Sequence, residues 1–238
     1  MTVGVMQPYS FPYLGYFQLV NAVDTFVFYD DVNFIVKGWI NRNQILRQDQ
    51  AYKFTIPLVK ASQNRLINEL QIHEFQRWKK DFLGLIEVNY KKAPFFKSTF
   101  DWLNVFLKED YSLISELASA SIKATMDLLG VPKKYLISSE LNYRSNLLLE
   151  GGQQKILKIC QLVNADHYVN PRNGTDLYNS DTFSKVDVSL SFIQMDPVVY
   201  KQLDNNNFVP NLSIIDVLMF NELSQVKSFL NNYVLTKT

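Results

Sequence analysis

Short runs of β-branched and aromatic residues alternate with segments of helical periodicity in the first and last thirds of the chain, and this order constrains the fold most. Thr2–Met6 has the composition of a strand, Pro12–Val23 has the period of a helix, and Thr25–Tyr29 is again strand-like. Consecutive strand, helix and strand segments favour a βαβ unit with parallel strands. The first thirty residues therefore predict the beginning of a layered α/β fold.

The last third of the chain repeats this alternation, and a final apolar run preceded by Ser213 predicts a capped helix. We therefore predict an α/β protein with a Rossmann-like, layered mixed sheet. The predicted elements are a strand at Tyr135–Ser138, a polar loop at Asn142–Gly152, a helix at Gln153–Asn164, strands at His167–Asn170 and Asp187–Ile193, and a helix at Ile214–Phe220.

The middle of the chain changes to a period of 3.6 residues between about residues 75 and 130, which predicts three helices. Pro94 suits the first turn of the second helix, and Gly130 suits the end of the third. Two short strand candidates before this region, Ala51–Leu58 and Glu69–His73, are expected to extend the sheet. We predict one α/β domain over residues 1–238 with a helical insertion in its middle.

Composition excludes several classes of function. A formal net charge of +1 gives no field that would attract nucleic acid, so we expect no nucleic-acid partner. The single cysteine, Cys160, excludes an intramolecular disulfide and a cysteine-rich zinc site, and its apolar surroundings predict a buried thiol. No apolar run approaches the roughly twenty residues that span a bilayer, and no secretory signal is visible. We expect a cytoplasmic protein without membrane insertion.

Two polar and aromatic clusters follow the first two predicted strands, at residues 6–16 and 38–43. Ligands of open α/β sheets bind at the carboxyl ends of strands, so we predict that both clusters line one pocket. The alternative is structural, with Trp39 in the core and the asparagines and arginine in a solvated turn. The predicted ligand-binding residues of these clusters and of the loop between them are Gln7, Tyr16, Lys37, Trp39, Asn41, Arg42 and Asn43.

Known sequence signatures of catalysis are mostly absent. The spacing of Tyr13-Leu14-Gly15-Tyr16 matches the His-x-Gly-His signature of nucleotidyltransferases, with tyrosines in place of both histidines. Tyrosine, whose pKa is near 10, substitutes poorly for imidazole. The chain contains no Gly-x-Ser-x-Gly elbow, no phosphate loop and no Gly-x-Gly-x-x-Gly fingerprint, which excludes the commonest hydrolases, kinases and dehydrogenases.

The candidates for proton transfer are an acid and a histidine. Of the paired acids Asp30 and Asp31 after the second strand, we expect Asp31 to face the site, the alternative being a cap or an ion pair. His167 comes just before a polar turn and is the second catalytic candidate, although isolated histidines are more often structural. Residues of that turn supply a predicted lining for an anion or sugar hydroxyls, and we predict no metal site. The lining residues are Asn170, Arg172 and Tyr178.

These motifs together resemble the WbqC-like protein family. The resemblance rests on Met6-Gln7-Pro8 with Pro12–Phe17, on Tyr29–Val32, on Lys37–Asn43 and on Val209–Leu218, so it covers nearly the whole chain. Many relatives carry histidine immediately before Gln-Pro, where this chain has Met6. If that histidine is a catalytic base, Asp31 or His167 must replace it here.

The resemblance implies a role in the biosynthesis of bacterial surface polysaccharides such as O-antigen and lipopolysaccharide. It implies a nucleotide-linked amino sugar as substrate and transfer of an acyl or aminoacyl group to the sugar amine. An activated acyl donor is then the second substrate, and no bound cofactor is identified. Two alternatives are a non-catalytic nucleotide-sugar-binding or accessory protein of polysaccharide assembly, and a nucleotidyltransferase-like enzyme that needs a triphosphate and magnesium.

Overall fold

The computed structural model describes residues 1–143, 151–203 and 207–237, which form strands and helices in alternation. The predicted polar loop at 142–152 lies mostly outside these ranges. The strands are β1 Thr2–Met6, β2 Thr25–Phe28, β3 Arg42–Arg47, β4 Gln50–Thr55, β5 Lys134–Ile137, β6 His167–Pro171, β7 Ser189–Met195 and β8 Tyr233–Lys237. The α-helices are α1 Leu14–Asn21, α2 Phe75–Tyr90, α3 Phe96–Phe106, α4 Ile114–Leu128, α5 Gly152–Leu162, α6 Ser180–Ser184, α7 Ile214–Phe220 and α8 Leu223–Phe229.

Six strands form the main sheet in the order β5-β2-β1-β6-β7-β8. All neighbouring pairs are parallel except β7 and β8, which are antiparallel. If the six strands are numbered along the chain within this sheet, their spatial order is 3-2-1-4-5-6, the order of a Rossmann fold. The predicted α/β class and Rossmann-like layered mixed sheet are thus confirmed.

Helices cover both faces of the sheet, so its central strands are apolar on both sides. In β2, the side chains of Phe26 and Phe28 enter a large core on one face, which also contains residues of α1, α4 and α7. Val27, between them, enters a smaller core on the other face together with Ile156 and Cys160 of α5. Because successive strand residues point to opposite faces, one short strand contributes to both cores.

The expected extension of the sheet by strands at 51–58 and 69–73 is wrong. β4 pairs with β3 in a separate antiparallel hairpin. Gln48 and Asp49 connect these strands with positive φ angles of 46° and 63°, as the tight turns of two-residue hairpins require. Residues 67–69 form one turn of 3-10 helix, and Gln71 and Ile72 make only isolated bridges.

Several local predictions are confirmed. The middle of the chain contains the helices α2, α3 and α4, and Gly130 follows the last of them with a φ of 62°. The Ser213 hydroxyl caps α7 by accepting a hydrogen bond from the Ile215 amide at 3.3 Å. Among the helices of the described ranges, none has the length and apolar character needed to cross a membrane.

Candidate functional site

The order of the strands identifies the carboxyl ends of β1 and β6 as the candidate site. β1 and β6 are neighbours from which the chain continues in opposite directions, toward β2 on one side and β7 on the other. Ligands of such sheets bind in the crevice outside the carboxyl ends of the strands at this point. Gln7 follows β1 here, and Arg172 follows β6. The structure thus brings together two predicted ligand-binding residues that are far apart in the sequence.

The loop after β6 is organised by Asn170, which is mostly buried. Its Oδ1 accepts a hydrogen bond from the Tyr168 hydroxyl at 3.0 Å, and its Nδ2 donates to the Pro171 carbonyl at 3.2 Å. The Tyr168 hydroxyl also lies 3.4 Å from that of Tyr178, whose pKa is raised by burial. A Cβ at Gly174 would lie 2.0 Å from Asn170 Nδ2, so any larger residue would clash with this side-chain amide. Asn170 and Tyr178 therefore shape the turn that presents Arg172.

Arg172 extends from this turn into solvent. One of its Nη1 hydrogens is donated to the Oε1 of Gln194 on β7, a neutral acceptor. Within residues 1–143, 151–203 and 207–237, the ion pairs join Met1 to Asp166, Arg77 to Glu74 and Lys97 to Asp101. No carboxylate in these ranges neutralises Arg172, so its charge is available to an anionic ligand.

The paired acids after β2 are bound to the loop after β5. The Ser138 hydroxyl contacts both carboxylates, at 3.0 Å from Asp30 Oδ1 and closer to Asp31 Oδ1. Asp30 also accepts hydrogen bonds from the Ser139 amide at 3.1 Å and from its hydroxyl at 2.9 Å. Both acids are about 95% buried, with exposures of 5% and 6%. Asp30 therefore holds the loop after β5 in place, and Asp31 is hydrogen-bonded to the same serine, Ser138.

The two polar and aromatic clusters contact each other through hydrogen bonds. The Ser10 amide donates to the Ile40 carbonyl at 3.1 Å, and the Ser10 hydroxyl donates to the same oxygen at 2.8 Å. Asn43 Nδ2 donates to the Phe11 carbonyl at 2.7 Å, and this amide is buried. Phe11 itself has a φ of 45°, which the hydrogen bond to its carbonyl helps to hold. Asn43, on β3, therefore fixes this strand to the loop after β1 and is not an exposed ligand.

The other residues of the second cluster differ in exposure, since Ile40 is buried and Asn41 and Arg42 are half-buried. Trp39 is 43% exposed, which contradicts its alternative placement in the core. Lys37 is exposed as well, at the turn with a φ of 65°. Arg42 donates its Nε hydrogen to the Gly38 carbonyl at 2.7 Å, and Asn41 Nδ2 donates to the Ile56 carbonyl at 2.8 Å. Trp39 and Lys37 thus present an indole and a cation to solvent, and the half-buried Arg42 adds a second cation in the same segment.

Tyr16 lies in the core, where its ring is only 2% exposed. Its hydroxyl donates to the Gln7 carbonyl at 2.9 Å, and burial raises its pKa well above 10. The ring packs against Tyr9 and Phe26 at centroid distances of 5.5 and 5.6 Å. The predicted ligand-binding role of Tyr16 does not fit this buried placement, and its hydroxyl instead fixes the backbone of Gln7.

His167 lies at the amino ends of the parallel strands, whereas Asp31 lies at their carboxyl ends. It is the first residue of β6 and pairs with Thr2, the first residue of β1. At about 3.3 Å per strand residue, it is roughly 13 Å from the carboxyl end of its own strand. Its Nε2 lies 2.8 Å from Ser191 Oγ, and burial lowers its pKa. The expectation that His167 adjoins the polar turn is corrected, because the strand continues to Pro171 before it turns.

A pocket at the beginning of α1 went unrecognised in the sequence. It has a volume of about 310 Å³ and adjoins Met195 at the carboxyl end of β7. Gly15 is required there, since a Cβ would lie 2.4 Å from the Tyr13 ring and 2.9 Å from Met195 Sδ. The requirement for a glycine in Tyr-x-Gly-Tyr was the available signal. The pocket's polar and aromatic lining includes Tyr13, Asp196, Tyr200, Phe208 and Asn211.

Asp216 on α7 has a structural environment. It is fully buried and accepts hydrogen bonds from the hydroxyls of Tyr90 at 2.7 Å and Tyr200 at 2.6 Å, and from Gln202 Nε2 at 3.0 Å. Burial raises its pKa, and these three donors act in the opposite direction. Cys160 is also fully buried, and burial raises the pKa of its thiol to about 12, which leaves no reactive thiolate.

Comparisons with known proteins find matches over nearly the whole chain. The model of the WbqC-like protein family matches residues 7–228. A Mycobacterium tuberculosis protein, named uncharacterized protein Rv1507c, is 28% identical over 231 residues, which cover 96% of each chain. No solved structure matches the chain. Among the described residues, no group of three or more His, Cys, Asp or Glu side chains could hold a metal ion.

Proposed function

Because the chain belongs to the WbqC-like protein family, we propose that it is a transferase that acylates or aminoacylates the amine of a nucleotide-linked amino sugar. The place of this reaction would be the cytoplasm, in the biosynthesis of bacterial surface polysaccharides. The observation that carries the proposal is the Rossmann-like strand order with an unpaired arginine, Arg172, at the carboxyl end of β6, next to Gln7 after β1. Nucleotides and their phosphates bind at this place in such sheets.

The diphosphate of the substrate needs cations and amide donors. Arg172 and Arg42 carry guanidinium groups, whose forked N–H donors match phosphate oxygens, and Lys37 adds a third charge. None of these cations is in an ion pair within the described ranges. The amino end of α1, with Gly15 in its first turn, borders the pocket of about 310 Å³ and offers free N–H groups.

The rest of the substrate is assigned by exposure and hydrogen-bonding capacity. Trp39 offers an exposed indole face on which a nucleobase or sugar would stack. The sugar amine then attacks the acyl carbon of the activated donor, a C–N bond forms, and the bond to the donor's leaving group breaks. The Asp31 carboxylate would accept the proton that the amine loses. His167 has no part in this scheme, since it lies at the amino end of β6, far from the carboxyl ends where the substrate would bind.

Thermal stabilisation by a panel of nucleotide sugars tests the binding step without any assumption about turnover. A ligand that binds only the native protein raises the melting temperature by mass action. The Arg172→Ala variant should bind the active nucleotide sugar at least about tenfold more weakly, as expected when a charge-assisted hydrogen bond is lost. Arg77→Ala is the matched control, because Arg77 is an exposed arginine on α2 that forms an ion pair with Glu74 away from the candidate site. Equal affinities of both variants, or no stabilisation by any nucleotide sugar, would refute the proposal.

A second candidate is a non-catalytic nucleotide-sugar-binding protein that assists polysaccharide assembly. It is favoured by the separation of the two catalytic candidates, because His167 lies far from Asp31. The two candidates are distinguished by incubating the protein with the nucleotide amino sugar that it binds and a series of acyl thioesters and aminoacyl donors. Mass spectrometry that finds an acylated sugar supports the transferase. Binding without product across all donors supports the accessory protein.

A further inference from the structure

A second cleft lies between α4 and the carboxyl ends of β2 and β5. It has a volume of about 410 Å³, within the range of small-molecule sites. Unlike the pocket at α1, its lining is rich in hydroxyl and carboxyl groups. Its polar lining includes Asp30, Ser115, Glu116, Ser119, Lys123 and Glu140, together with Asn68.

Two serines of α4 face this cleft with unused hydroxyls. Ser115 and Ser119 are one helical turn apart, and their exposures are 8% and 7%. Neither side chain makes a hydrogen bond within the part of the chain that the structure describes, and neither hydroxyl oxygen is sealed from solvent, so both open onto the cleft. Ser121 on the same helix shows the usual situation, because its Oγ accepts from the Phe11 amide at 3.0 Å and donates to the Ala118 carbonyl at 2.7 Å. The hydroxyls of Ser115 and Ser119 are thus available to a bound molecule.

Lys123 continues the same stripe by one more turn. Its Nζ lies 5.5 Å from the centroid of the Phe28 ring and 5.7 Å from that of Tyr135, which holds the ammonium at the wall of the cleft. No carboxylate within residues 1–143, 151–203 and 207–237 pairs with it. An ammonium group has three N–H donors, so Lys123 adds donors to those of the two serines.

The charge of the lining narrows the class of ligand. Three carboxylates, those of Asp30, Glu116 and Glu140, face one ammonium, that of Lys123, so the cleft disfavours phosphates and other anions. Glu116 accepts hydrogen bonds from the backbone amide of Leu113 at 3.0 Å, whereas Glu140 is exposed. Hydroxyl donors and acceptors together with excess negative charge match a polyhydroxylated ring that carries an amino group.

We propose that this cleft holds the sugar ring of the amino-sugar substrate, with its hydroxyls on Ser115, Ser119 and Lys123 and its amine toward the carboxylates. The assignment rests on the function proposed above and specifies where its acceptor sits. Asp30 lines the cleft, and Ser138 hydrogen-bonds to both Asp30 and Asp31. The cleft is therefore separated by one serine hydroxyl from the carboxylate assigned to receive the amine proton.

Nuclear magnetic resonance titration of the full chain with free D-glucosamine tests the cleft independently of any nucleotide. We expect saturable shifts of the backbone amides of Asn68, Ser115 and Ser119. Ser119→Ala should weaken this binding about five- to tenfold, the effect of one lost hydrogen bond, without changing the melting temperature. Ser121→Ala is the matched control, with a lowered melting temperature and unchanged glucosamine affinity. Glu140→Gln should reduce the preference for glucosamine over neutral D-glucose.

The outcomes separate this inference from the proposed function. No saturable shifts with glucosamine, or equal affinities of Ser119→Ala and the unchanged protein, would overturn the assignment of the cleft, whatever nucleotide sugars do. If glucosamine binds and Ser119→Ala weakens it, while UDP-glucosamine binds no better than glucosamine, the cleft assignment stands and the nucleotide part of the proposed function fails. Tighter binding of UDP-glucosamine that is weakened by both Ser119→Ala and Arg172→Ala supports both.

Discussion

Removal of one buried hydroxyl, by Tyr90→Phe, should destabilise the protein strongly. The Tyr90 hydroxyl accepts a hydrogen bond from the Leu46 amide at 2.7 Å and donates one to Asp216 Oδ1 at 2.7 Å. It therefore joins the β3–β4 hairpin, α2 and α7 at one point. Burial, followed by the charge of Asp216, raises the pKa of Tyr90 well above 10, so the hydroxyl stays protonated and remains a donor at all ordinary pH values.

The size of the effect follows from what each partner loses. Phenylalanine leaves the Leu46 amide buried without an acceptor, which costs about 1–3 kcal/mol, and removes a net hydrogen bond to Asp216 of about 1 kcal/mol. The free energy of unfolding should thus fall by about 3 kcal/mol, and the melting temperature by about 6–12 °C for a chain of this length. The ring itself is kept, so no cavity of side-chain size adds to this cost.

Urea unfolding followed by circular dichroism measures this difference. Tyr111→Phe is the matched control, because the Tyr111 ring packs against Phe75 and Phe106, and its hydroxyl has no hydrogen bond in the described ranges. The control should change the free energy of unfolding by less than about 0.5 kcal/mol. A loss below about 1 kcal/mol for Tyr90→Phe, or an equal loss for both variants, would show that the hydroxyl does not join the three elements.

Three further predictions concern other parts of the chain. Gly174→Ala places a methyl group against Asn170 Nδ2 and should lower the free energy of unfolding by about 1–3 kcal/mol, measured by urea titration; an unchanged value would contradict the tight contact. Burial raises the pKa of Asp216 above its ordinary 3.8, so its contribution to stability is greatest below pH 3.8 and is lost as the pH rises through the folded-state pKa; Asp216→Asn should remove this part of the pH dependence of unfolding, and an identical pH profile would contradict it. The pKa of His167 is lowered from 6.5, so its contribution is present above pH 6.5 and is lost as the pH falls through the folded-state pKa; His167→Gln should flatten that part of the profile while leaving nucleotide-sugar affinity unchanged, and a loss of affinity would place His167 in the site.

Most strands of the main sheet were predictable from the sequence because each is a short, largely apolar run of residues. Phe26, Val27 and Phe28 in β2 supply side chains to both cores, and such a run between turn residues identifies a buried strand without knowledge of its partners. β3 was not predicted, because its residues Arg42 and Asn43 were interpreted as part of a binding cluster. The hairpin turn at Gln48 and Asp49 lacks glycine, which removed the usual signal. β8 was missed as well, since the exposed edge strand carries a weak pattern.

The candidate site was predictable only in part, because its geometry depends on contacts between distant segments. That Gln7 and the paired acids lie at the same end of the sheet followed from their positions after neighbouring parallel strands. The burial of Tyr16 did not, since the sequence cannot show which of several tyrosines the core absorbs. His167 was placed near the polar turn although it begins the predicted strand, and a strand of five residues separates its two ends by roughly 13 Å. Ser115 and Ser119 read as ordinary helix residues, and only the packing of α4 against the strand ends reveals their unused hydroxyls.

The position of β1 in the centre of the sheet has a consequence for synthesis of the protein. One side of β1 pairs with β2 almost at once, but the other side pairs with β6, and the Met1 ammonium contacts Asp166, 165 residues later. A ribosome must therefore produce more than two thirds of the chain before the sheet can close. During that time the hydrogen-bonding edge of β1 is open, and its sequence is apolar. Contacts of such long range slow folding, and the open edge of β1 can pair with other chains until β6 emerges.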